Sequence, residues 1–175
     1  MIITNDEAAL RIPCIDVEAN EVGTIVEQLE RELSHSTRMG RPGIGLAAPQ
    51  CAIGKTVAIV RIDDKYKVDL VNCKIEKSYD KMMFRDEGCL SFPDRIENTM
   101  RYQEIYVVNN LVWPHSFIAT GLMAVVIQHE LDHLNGILLP DLAIKQETKI
   151  KTKTRPNDPC FCGSKIKFKR CHMEK

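Results

Sequence analysis

The sequence lacks the long apolar run that a membrane-spanning helix requires. No stretch approaches roughly 18 consecutive apolar residues, and the opening segment MIITNDEAAL has no basic region followed by an apolar core, as a secretory leader would have. Internal repeats are also absent. With 44% hydrophobic and 27% charged residues among 175 positions, the composition is that of a globular domain with a small appendage, and we expect a cytoplasmic protein.

The sequence also lacks a net charge, but this balance conceals two parts of opposite sign. Residues 143–175 carry a net charge of +7, and the preceding 142 residues carry −7. A basic tail on an acidic body indicates an anionic partner, with RNA as the first candidate. A solvated, partly disordered tail is the alternative, and for a charge run alone it is the preferred one.

Seven cysteines are an odd number for a chain with no secretory signal. Disulfides are rare in such proteins, and clustered cysteines more often bind metal. Three of them fall within twelve residues near the end of the sequence: Cys160, Cys162 and Cys171. Cys89 stands alone in a turn-like segment. The other three have no partner by spacing and are predicted to be small buried apolar residues: Cys14, Cys51 and Cys73.

Hydrophobic periodicity predicts both helices and strands. An amphipathic helix is expected at residues 21–36, and a helix from Ala119 to Leu134 is apolar on nearly all sides, which is typical of a buried helix. Three segments rich in β-branched residues are predicted to be strands: KTVAIVRI, KVDLVNCKI and YQEIYVVNN. The segment RDEGCLSFPD, at residues 85–94, is predicted to be a loop.

Residues 129–133 form the string H-E-x-x-H at the end of the predicted buried helix. His129 and His133 are four residues apart, so on a helix both imidazoles project from one face and can bind a single metal ion. Glu130 is rotated by roughly 100° about the helix axis and can act as a general base without being a ligand. So short a string also occurs by chance, and a helix without a catalytic role is an equally open alternative.

The third metal ligand distinguishes the classes of hydrolase. Metzincin proteases continue the motif with a glycine and a third histidine, but here Gly136 is followed by Leu139 where that histidine would stand. Thermolysin-like proteases use a glutamate on a later helix, and the downstream glutamates are Glu147 and Glu174, in the polar tail. Cys89 is the better candidate, because a thiolate is a strong ligand for Zn²⁺ or Fe²⁺.

Three segments together resemble the signature motifs of peptide deformylases, in the same order and with similar separations. They are GIGLAAPQ (43–50), EGCLS (87–91) and QHELDH (128–133), and with LRIP near the N-terminus the similarity covers roughly residues 10–142. The resemblance implies an α+β fold, with antiparallel sheets around a central metal-binding helix. It also implies a hydrolase that removes the formyl group from N-formylmethionine on nascent polypeptides and releases formate.

The resemblance implies a role for each residue of the metal centre. Cys89, His129 and His133 would hold one catalytic divalent ion, and Glu130 would serve as general base and general acid. Fe²⁺ is the usual physiological ion in this family. We therefore expect iron in vivo, and zinc or nickel in a purified sample.

The resemblance also implies two hydrogen-bond donors for the oxyanion of the reaction. These are the side-chain amide of Gln50 and the backbone N–H of Leu90. Fixed donors aimed at developing charge are among the strongest contributions to such catalysis. The alternative for Gln50 is an ordinary loop amide.

Substrate-binding residues are expected on both sides of the metal centre. Gly43, Ile44 and Gly45 resemble the segment that deformylases pair main chain to main chain with the peptide, for which glycine permits close approach. The wall of the methionine pocket has four candidates, each of which could equally belong to the core: Ile44, Leu122, Val125 and Val126. Two arginines could orient the substrate or pair with Glu87: Arg95 and Arg101.

The cysteine cluster near the end resembles the SEC-C motif, a short zinc-binding module. Its residues C-x-C-G-S, the preceding Asn-Asp-Pro and the lysine-rich run before Cys-His all match. Cys160, Cys162, Cys171 and His172 are the predicted ligands of a structural Zn²⁺, which would supply the folding energy of so short a segment. The alternative is a flexible tail that binds metal adventitiously.

The sequence thus predicts a catalytic domain at 1–144, a basic linker at 145–157 and a zinc module at 158–175. The basic and aromatic residues of the module suggest a contact with the ribosome, and no membrane partner is expected. Two other functions fit the sequence less well. A catalytically idle binding module would have no need to retain Gln50, Cys89 and the H-E-x-x-H residues, and an endopeptidase of the H-E-x-x-H type lacks its third ligand.

Overall fold

A computed structural model describes residues 1–144, 157 and 166–171. The chain divides into two compact units, residues 1–144 and 145–175. The helices of the first unit are α1 (Glu7–Leu10), α2 (Ala19–Arg38), α3 (Gly121–Leu134) and α4 (Leu139–Leu142), with a 3-10 helix at Ala48–Cys51. Its strands are β1 (Gly45–Ala47), β2 (Val57–Arg61), β3 (Lys67–Val71), β4 (Lys74–Cys89), β5 (Phe92–Val108) and β6 (Ser116–Thr120). In the second unit, helix α5 (Phe168–Cys171) is described.

The strands form two three-stranded antiparallel sheets, in the orders β1-β2-β3 and β4-β5-β6. In the first sheet, Gly45 pairs with Val60, and all five residues of β2 pair with β3. In the second, β4 and β5 form a long hairpin whose connecting turn is Leu90 and Ser91. The predicted α+β fold with antiparallel sheets is confirmed.

Helix α3 packs against both sheets and supplies much of the core. Ala124, Ile127 and Leu131 are buried in it, together with Val60 of β2 and Ile105 of β5. Burying such side chains contributes roughly 1.5–3 kcal/mol each relative to exposure. The prediction of a buried helix is confirmed, although it begins at Gly121, because Ala119 and Thr120 continue strand β6.

Helix α2 covers the other side of the first sheet through its apolar stripe. Val22, Ile25, Leu29 and Leu33 recur at helical spacing and all are buried. The predicted amphipathic helix is therefore confirmed, with bounds wider than the 21–36 expected from periodicity.

The prediction of a loop at residues 85–94 is wrong. Strand β4 continues to Cys89, β5 starts at Phe92, and only two residues form the turn between them. Glycine and proline suggested a break in the strand. Pro93, however, lies in the part of β5 that does not pair with β6, so no hydrogen bond to β6 requires the N–H that proline lacks. A bulge between Phe84 and Glu87, with Asp86 at φ 57°, accommodates the irregular sequence.

Three smaller predictions are refined. Strand β3 ends at Val71 and β4 begins at Lys74, so KVDLVNCKI is two strands, separated at Asn72 with φ 45°. The segment YQEIYVVNN supplies the last seven residues of β5, which ends at Val108, and its two asparagines follow the strand. Of the three cysteines expected to be buried, Cys51 is buried, whereas Cys14 and Cys73 are half-buried.

The predicted linker lies outside the described residues except for Asn157, and so do the predicted zinc ligands Cys160, Cys162 and His172. Cys171 is the last residue of α5. Within the described part of the chain, every helix is either too short or too polar to cross a membrane.

Candidate functional site

The imidazoles of α3 meet the thiol at the end of β4. The potential metal-binding atoms of Cys89, His129 and His133 all lie within 4.8 Å of one another. The Sγ of Cys89 is 3.2 Å from Nε2 of His133. The four-residue spacing places both histidines on one face of the helix, as the sequence predicted. The hairpin brings Cys89 to them although it precedes His129 by 40 positions.

A buried carboxylate orients the first histidine. Oε1 of Glu87 lies 2.6 Å from Nδ1 of His129 and accepts a hydrogen bond from Nη2 of Arg101. Its Oε2 accepts hydrogen bonds from Oγ1 of Thr99 and from Nε of Arg101. Holding Nδ1 in this way leaves Nε2 free to bind a metal ion, an arrangement common to metal-ligating histidines. Burial by itself raises the pKa of Glu87, but hydrogen bonds from His129 and Arg101 outweigh it and lower the pKa to about 2.

Arg101 pairs with acidic residues on both sides. It forms ion pairs with Glu87 and with Asp132 of α3, and its side chain is almost fully buried. Of the two roles considered for this arginine, pairing with Glu87 is the one the geometry supports, and Arg101 does not line the cavity described below. The sequence does not predict the ion pair with Asp132, because Arg101 lies on a strand and Asp132 on a helix whose relative positions are set by packing.

The glutamate of the H-E-x-x-H string is buried beside the two histidines. Glu130 is 3% exposed, and its Oε2 has no hydrogen-bond partner among the described residues. Burial raises the pKa of its carboxyl to about 7, which suits a group that both accepts and returns a proton near neutral pH. Gly45 of β1 packs directly on it, since a Cβ at that position would lie 2.2 Å from Oε1.

The second histidine is held in the neutral form. Burial and then the neighbouring charge of His129 lower the pKa of His133 to about 3. A neutral imidazole is the form that binds a metal ion. For His129, the thiol of Cys89 and the carboxylate of Glu87 outweigh an opposing burial effect and raise the pKa.

Gln50 presents its amide N–H toward the same site. Its Oε1 accepts a hydrogen bond from the backbone N–H of Ala47 at 2.8 Å, which fixes which end of the amide points inward. Its Nε2 donates to Oγ of Ser91 at 3.0 Å and lies 3.8 Å from Sγ of Cys89. Leu90 precedes Ser91 in the hairpin turn, so its backbone lies beside this amide. The contribution of Ser91 was not expected from the sequence.

These groups lie along an open cavity of about 480 Å³. Apart from Arg101, the residues expected to bind substrate line it: Gly43, Ile44, Gly45, Arg95, Leu122, Val125 and Val126. Leu90, Gln50, Cys89, His129 and Glu130 also line it, whereas His133 is buried behind. Nine further residues line the cavity although nothing in their spacing marks them as site residues: Arg41, Pro42, Phe84, Asp86, Glu87, Gly88, Phe92, Pro93 and Ile96.

The residues fit a divalent transition metal. One thiol and two imidazoles form a soft to borderline donor set, typical of zinc or iron sites. The orphaned Oε2 of Glu130 needs a polar partner in the same space, which a hydrated site would provide. This site can therefore hold an ion beside a buried base and an amide donor, at the inner end of a cavity.

Comparison with known proteins identifies the family. The profile described as polypeptide deformylase matches residues 1–149, and the SEC-C motif matches residues 157–174. Peptide deformylase 1 of Pseudomonas syringae pv. tomato is 41% identical over 117 residues, which are 64% of this chain and 70% of that protein. Peptide deformylase 1 of Bacillus subtilis is 35% identical over 154 residues, 85% of this chain and 92% of that protein.

Solved structures agree with the sequence comparison. A peptide deformylase from Synechococcus elongatus in complex with actinonin superposes with a TM-score of 0.72 at 30% identity, covering 83% of this chain and 79% of that one. A class I type b peptide deformylase from Acinetobacter baumannii bound to Met-Ala-Ser gives 0.67 at 32% identity, covering 81% and 96%. The chain therefore belongs to the polypeptide deformylase family, enzymes that use a metal to remove the N-formyl group from nascent polypeptides.

Proposed function

We propose that Cys89, His129 and His133 are the ligands of the catalytic ion in this deformylase, and that Glu130 is its general base and acid. The observation that carries the proposal is the convergence of three metal-binding atoms within 4.8 Å at the inner end of the cavity, beside the buried carboxylate. When bound, a divalent ion supplies Lewis-acid chemistry, which polarises the formyl carbonyl and makes water a nucleophile near neutral pH.

The side chains of the protein perform the proton transfers and hold the charge. Glu130 takes a proton from the attacking water and passes it to the leaving amine, for which a pKa of about 7 is well matched. The amide of Gln50 and the backbone N–H of Leu90 donate to the oxyanion. Removing one such donor costs on the order of 10²–10³ in rate in other hydrolases.

The substrate enters along β1. Gly43, Ile44 and Gly45 pair with the backbone of the peptide, and its methionine side chain occupies the apolar wall formed by Val125 and Val126, with Ile44 and Leu122 at the rim. Arg95 also lines the cavity. The related Acinetobacter baumannii enzyme was crystallised with Met-Ala-Ser bound, which supports a site for a peptide that begins with methionine.

Release of formate from formyl-Met-Ala-Ser tests the proposal. The metal-loaded protein should produce formate, and Glu130→Ala should lose at least 10²-fold in kcat. Glu27→Ala, which removes an exposed carboxylate from α2, serves as the control and should behave like wild type. Absence of formate from the loaded wild type, or full activity in Glu130→Ala, would contradict the assignment.

We further propose Fe²⁺ as the ion in vivo, with Zn²⁺ or Ni²⁺ entering in purified protein. A two-histidine, one-cysteine set accepts all three ions, and iron is the usual ion of the family. Elemental analysis of protein prepared without oxygen should find iron at one equivalent with high activity. Stoichiometric zinc with full activity in that preparation would overturn the choice of iron.

The tail is proposed to comprise a basic linker at 145–157 and a zinc module at 158–175. Cys160, Cys162, Cys171 and His172 would be the zinc ligands, and the match to the SEC-C motif supports this. We expect a second metal equivalent, zinc, that is lost in Cys160→Ser and Cys162→Ser while deformylation of short peptides persists. A single metal equivalent in the unaltered chain would contradict the structural zinc.

We propose that the basic module contacts the ribosome, where the formylated nascent chains are made, and that the enzyme works in the cytoplasm. Salt-sensitive co-sedimentation with ribosomes should be lost when residues 157–175 are removed. Unchanged sedimentation of the shortened chain would count against a docking role for the module.

A further inference from the structure

Arg41 is an exposed residue that lines the cavity, and it has no acidic partner among the residues that the structure describes. Its guanidinium donates through Nη2 to the backbone carbonyl of Leu90, the one side-chain hydrogen bond that the described residues give it. None of the ion pairs among the described residues includes it. A guanidinium has five N–H donors, so most of those on Arg41 remain available to a ligand in the cavity.

The backbone of Arg41 is fixed from the adjacent helix end. Its N–H donates to the carbonyl of Ser36 at 2.9 Å, and its own carbonyl accepts a hydrogen bond from Oγ of Ser36 at 2.7 Å. With the side chain tethered to Leu90 as well, the guanidinium is held in place before substrate arrives. A preorganised cation loses less conformational entropy when it binds an anion than a free surface arginine does.

Segment 41–45 runs along the path expected for the peptide. Gly45 touches Glu130, where the formyl group is attacked, and a Cβ on Gly43 would lie 2.5 Å from Cδ1 of Leu90. Arg41 is four residues from Gly45, at most about 13 Å in an extended chain. A peptide paired with this segment therefore has its second or third residue within reach of the guanidinium.

The charges that line the cavity favour an anion at its outer end. Glu87 and Glu130 are buried at the inner end, and Glu87 is already paired with Arg101. Arg95 lies at the rim but shares its guanidinium with Glu97 at 3.5 Å. Asp86 is the remaining lining carboxylate, and no ion pair among the described residues joins it to Arg41. Among the described residues that line the cavity, Arg41 is thus the arginine without a carboxylate partner.

We propose that Arg41 is a specificity-determining residue, which makes this deformylase prefer nascent chains with an aspartate or glutamate at the second or third position. The proposal rests on the proposed function, because it assumes that the peptide pairs with residues 43–45. The arginine contacts the substrate side chain and takes no part in the chemical step. Since the ion pair would be solvent-exposed, the preference is about 2–5-fold.

Amidated peptides test the proposal without interference from a terminal carboxylate. Two pairs of peptides are compared at low salt. Formyl-Met-Ala-Asp-Ser-amide is paired with formyl-Met-Ala-Asn-Ser-amide, and formyl-Met-Asp-Ala-Ser-amide is paired with formyl-Met-Asn-Ala-Ser-amide. The measured quantity is the ratio of kcat/KM for Asp over Asn. Wild type should give a ratio of about 2–5 in one of the two pairs, and the difference should lie in KM. In 0.5 M salt the ratio should fall toward one, because charges are then screened over a distance on the order of 4 Å.

Variants separate contact from general electrostatics. Arg41→Gln should reduce the ratio to one, and Arg41→Lys should retain part of it because the charge remains. Arg38→Gln removes the same charge from the exposed end of α2, outside the cavity lining, and should leave the ratio unchanged. The KM readout distinguishes a lost contact from a damaged fold, since a merely structural role would affect both peptides of a pair alike.

Two results would overturn the proposal: a ratio of one in wild type for both pairs, or an equal ratio in wild type and Arg41→Gln. Either result leaves the deformylase activity itself intact, because formate release from the Asn peptides reports it independently. Absence of formate from all four peptides would instead refute the proposed function.

Discussion

Replacing Gly45 by alanine adds one methyl group at the point where β1 passes the buried base. The new Cβ would lie 2.2 Å from Oε1 and 2.9 Å from Cδ of Glu130, and 2.9 Å from Cγ1 of Val126. Nonbonded carbon atoms prefer about 3.5–4.0 Å, so the carboxylate must move by roughly 1 Å. Glu130 is 3% exposed, and Val126 closes one side, so the displaced carboxylate has little room.

The expected cost divides between catalysis and stability. A misplacement of about 1 Å in a catalytic group can cost on the order of 10² in rate, and overpacking a core usually costs about 1–3 kcal/mol. We expect Gly45→Ala to fold, to be destabilised by about 1–3 kcal/mol and to lose roughly 100-fold in kcat. Formate release from formyl-Met-Ala-Ser gives the rate, and urea unfolding gives the stability.

Gly23→Ala is the matched control. A Cβ at Gly23, on the exposed face of α2, meets nothing within 4 Å. Alanine is a better helix former than glycine, so this variant should be about 0.5–1 kcal/mol more stable and fully active. If Gly45→Ala retained activity within threefold of wild type, the carboxylate would not be where the geometry has it, or it would not be the base.

Three further predictions follow from buried or strained groups. Glu87→Gln should lower the stability of the metal-free protein by about 3 kcal/mol at pH 7. The difference in stability should vanish as pH falls from about 4.5 to 2. The pKa of Glu87 is lower in the folded than in the unfolded protein, so the ionised carboxylate stabilises the fold above pH 4.5 and this stabilisation is lost as the folded protein takes up the proton. Urea unfolding across this pH range measures the difference, and a constant value would contradict the prediction. Ala52→Gly should raise the free energy of unfolding by roughly 0.5–1 kcal/mol, because Ala52 has φ 60°; a lower Tm in thermal melts would contradict this. Cys51 and Cys73, whose pKa values burial raises to about 11 and about 12, should resist iodoacetamide at pH 7.5 in the folded protein. Mass spectrometry should detect their labelling only after denaturation, and labelling of the native protein would refute the expected protection.

The local part of the site was predictable from the sequence. The positions of His129, Glu130 and His133 relative to one another follow from helical geometry, and the apolar surroundings of this string predicted that the helix is buried. Three ordered motifs then indicated the family, which the comparisons confirm. Gln50 and Cys89 entered through those motifs, since no periodicity links residues so far apart along the chain.

The hairpin between β4 and β5 shows where prediction from sequence failed. Glycine and proline at 88 and 93 suggested a loop, because local propensity does not reveal that a strand edge has no neighbour there. The bulge after Phe84 changes which side of the strand faces the core, and this turns Glu87 toward His129. A shift of one residue in register reverses every side chain that follows, so such contacts cannot be read from alternation alone.

The sequence by itself determined the chemistry of this protein: the metal-binding residue types, their spacing on one helix face and the family they identify. Only the tertiary structure decided the surroundings of that chemistry, namely the carboxylate behind His129, the glycine packed against Glu130 and Arg41, held against Leu90 at the cavity. The physical reason is the range of the interactions. Helical spacing is fixed by backbone geometry within a few residues, whereas each of these contacts joins segments whose register is set by packing and strand pairing across the whole domain.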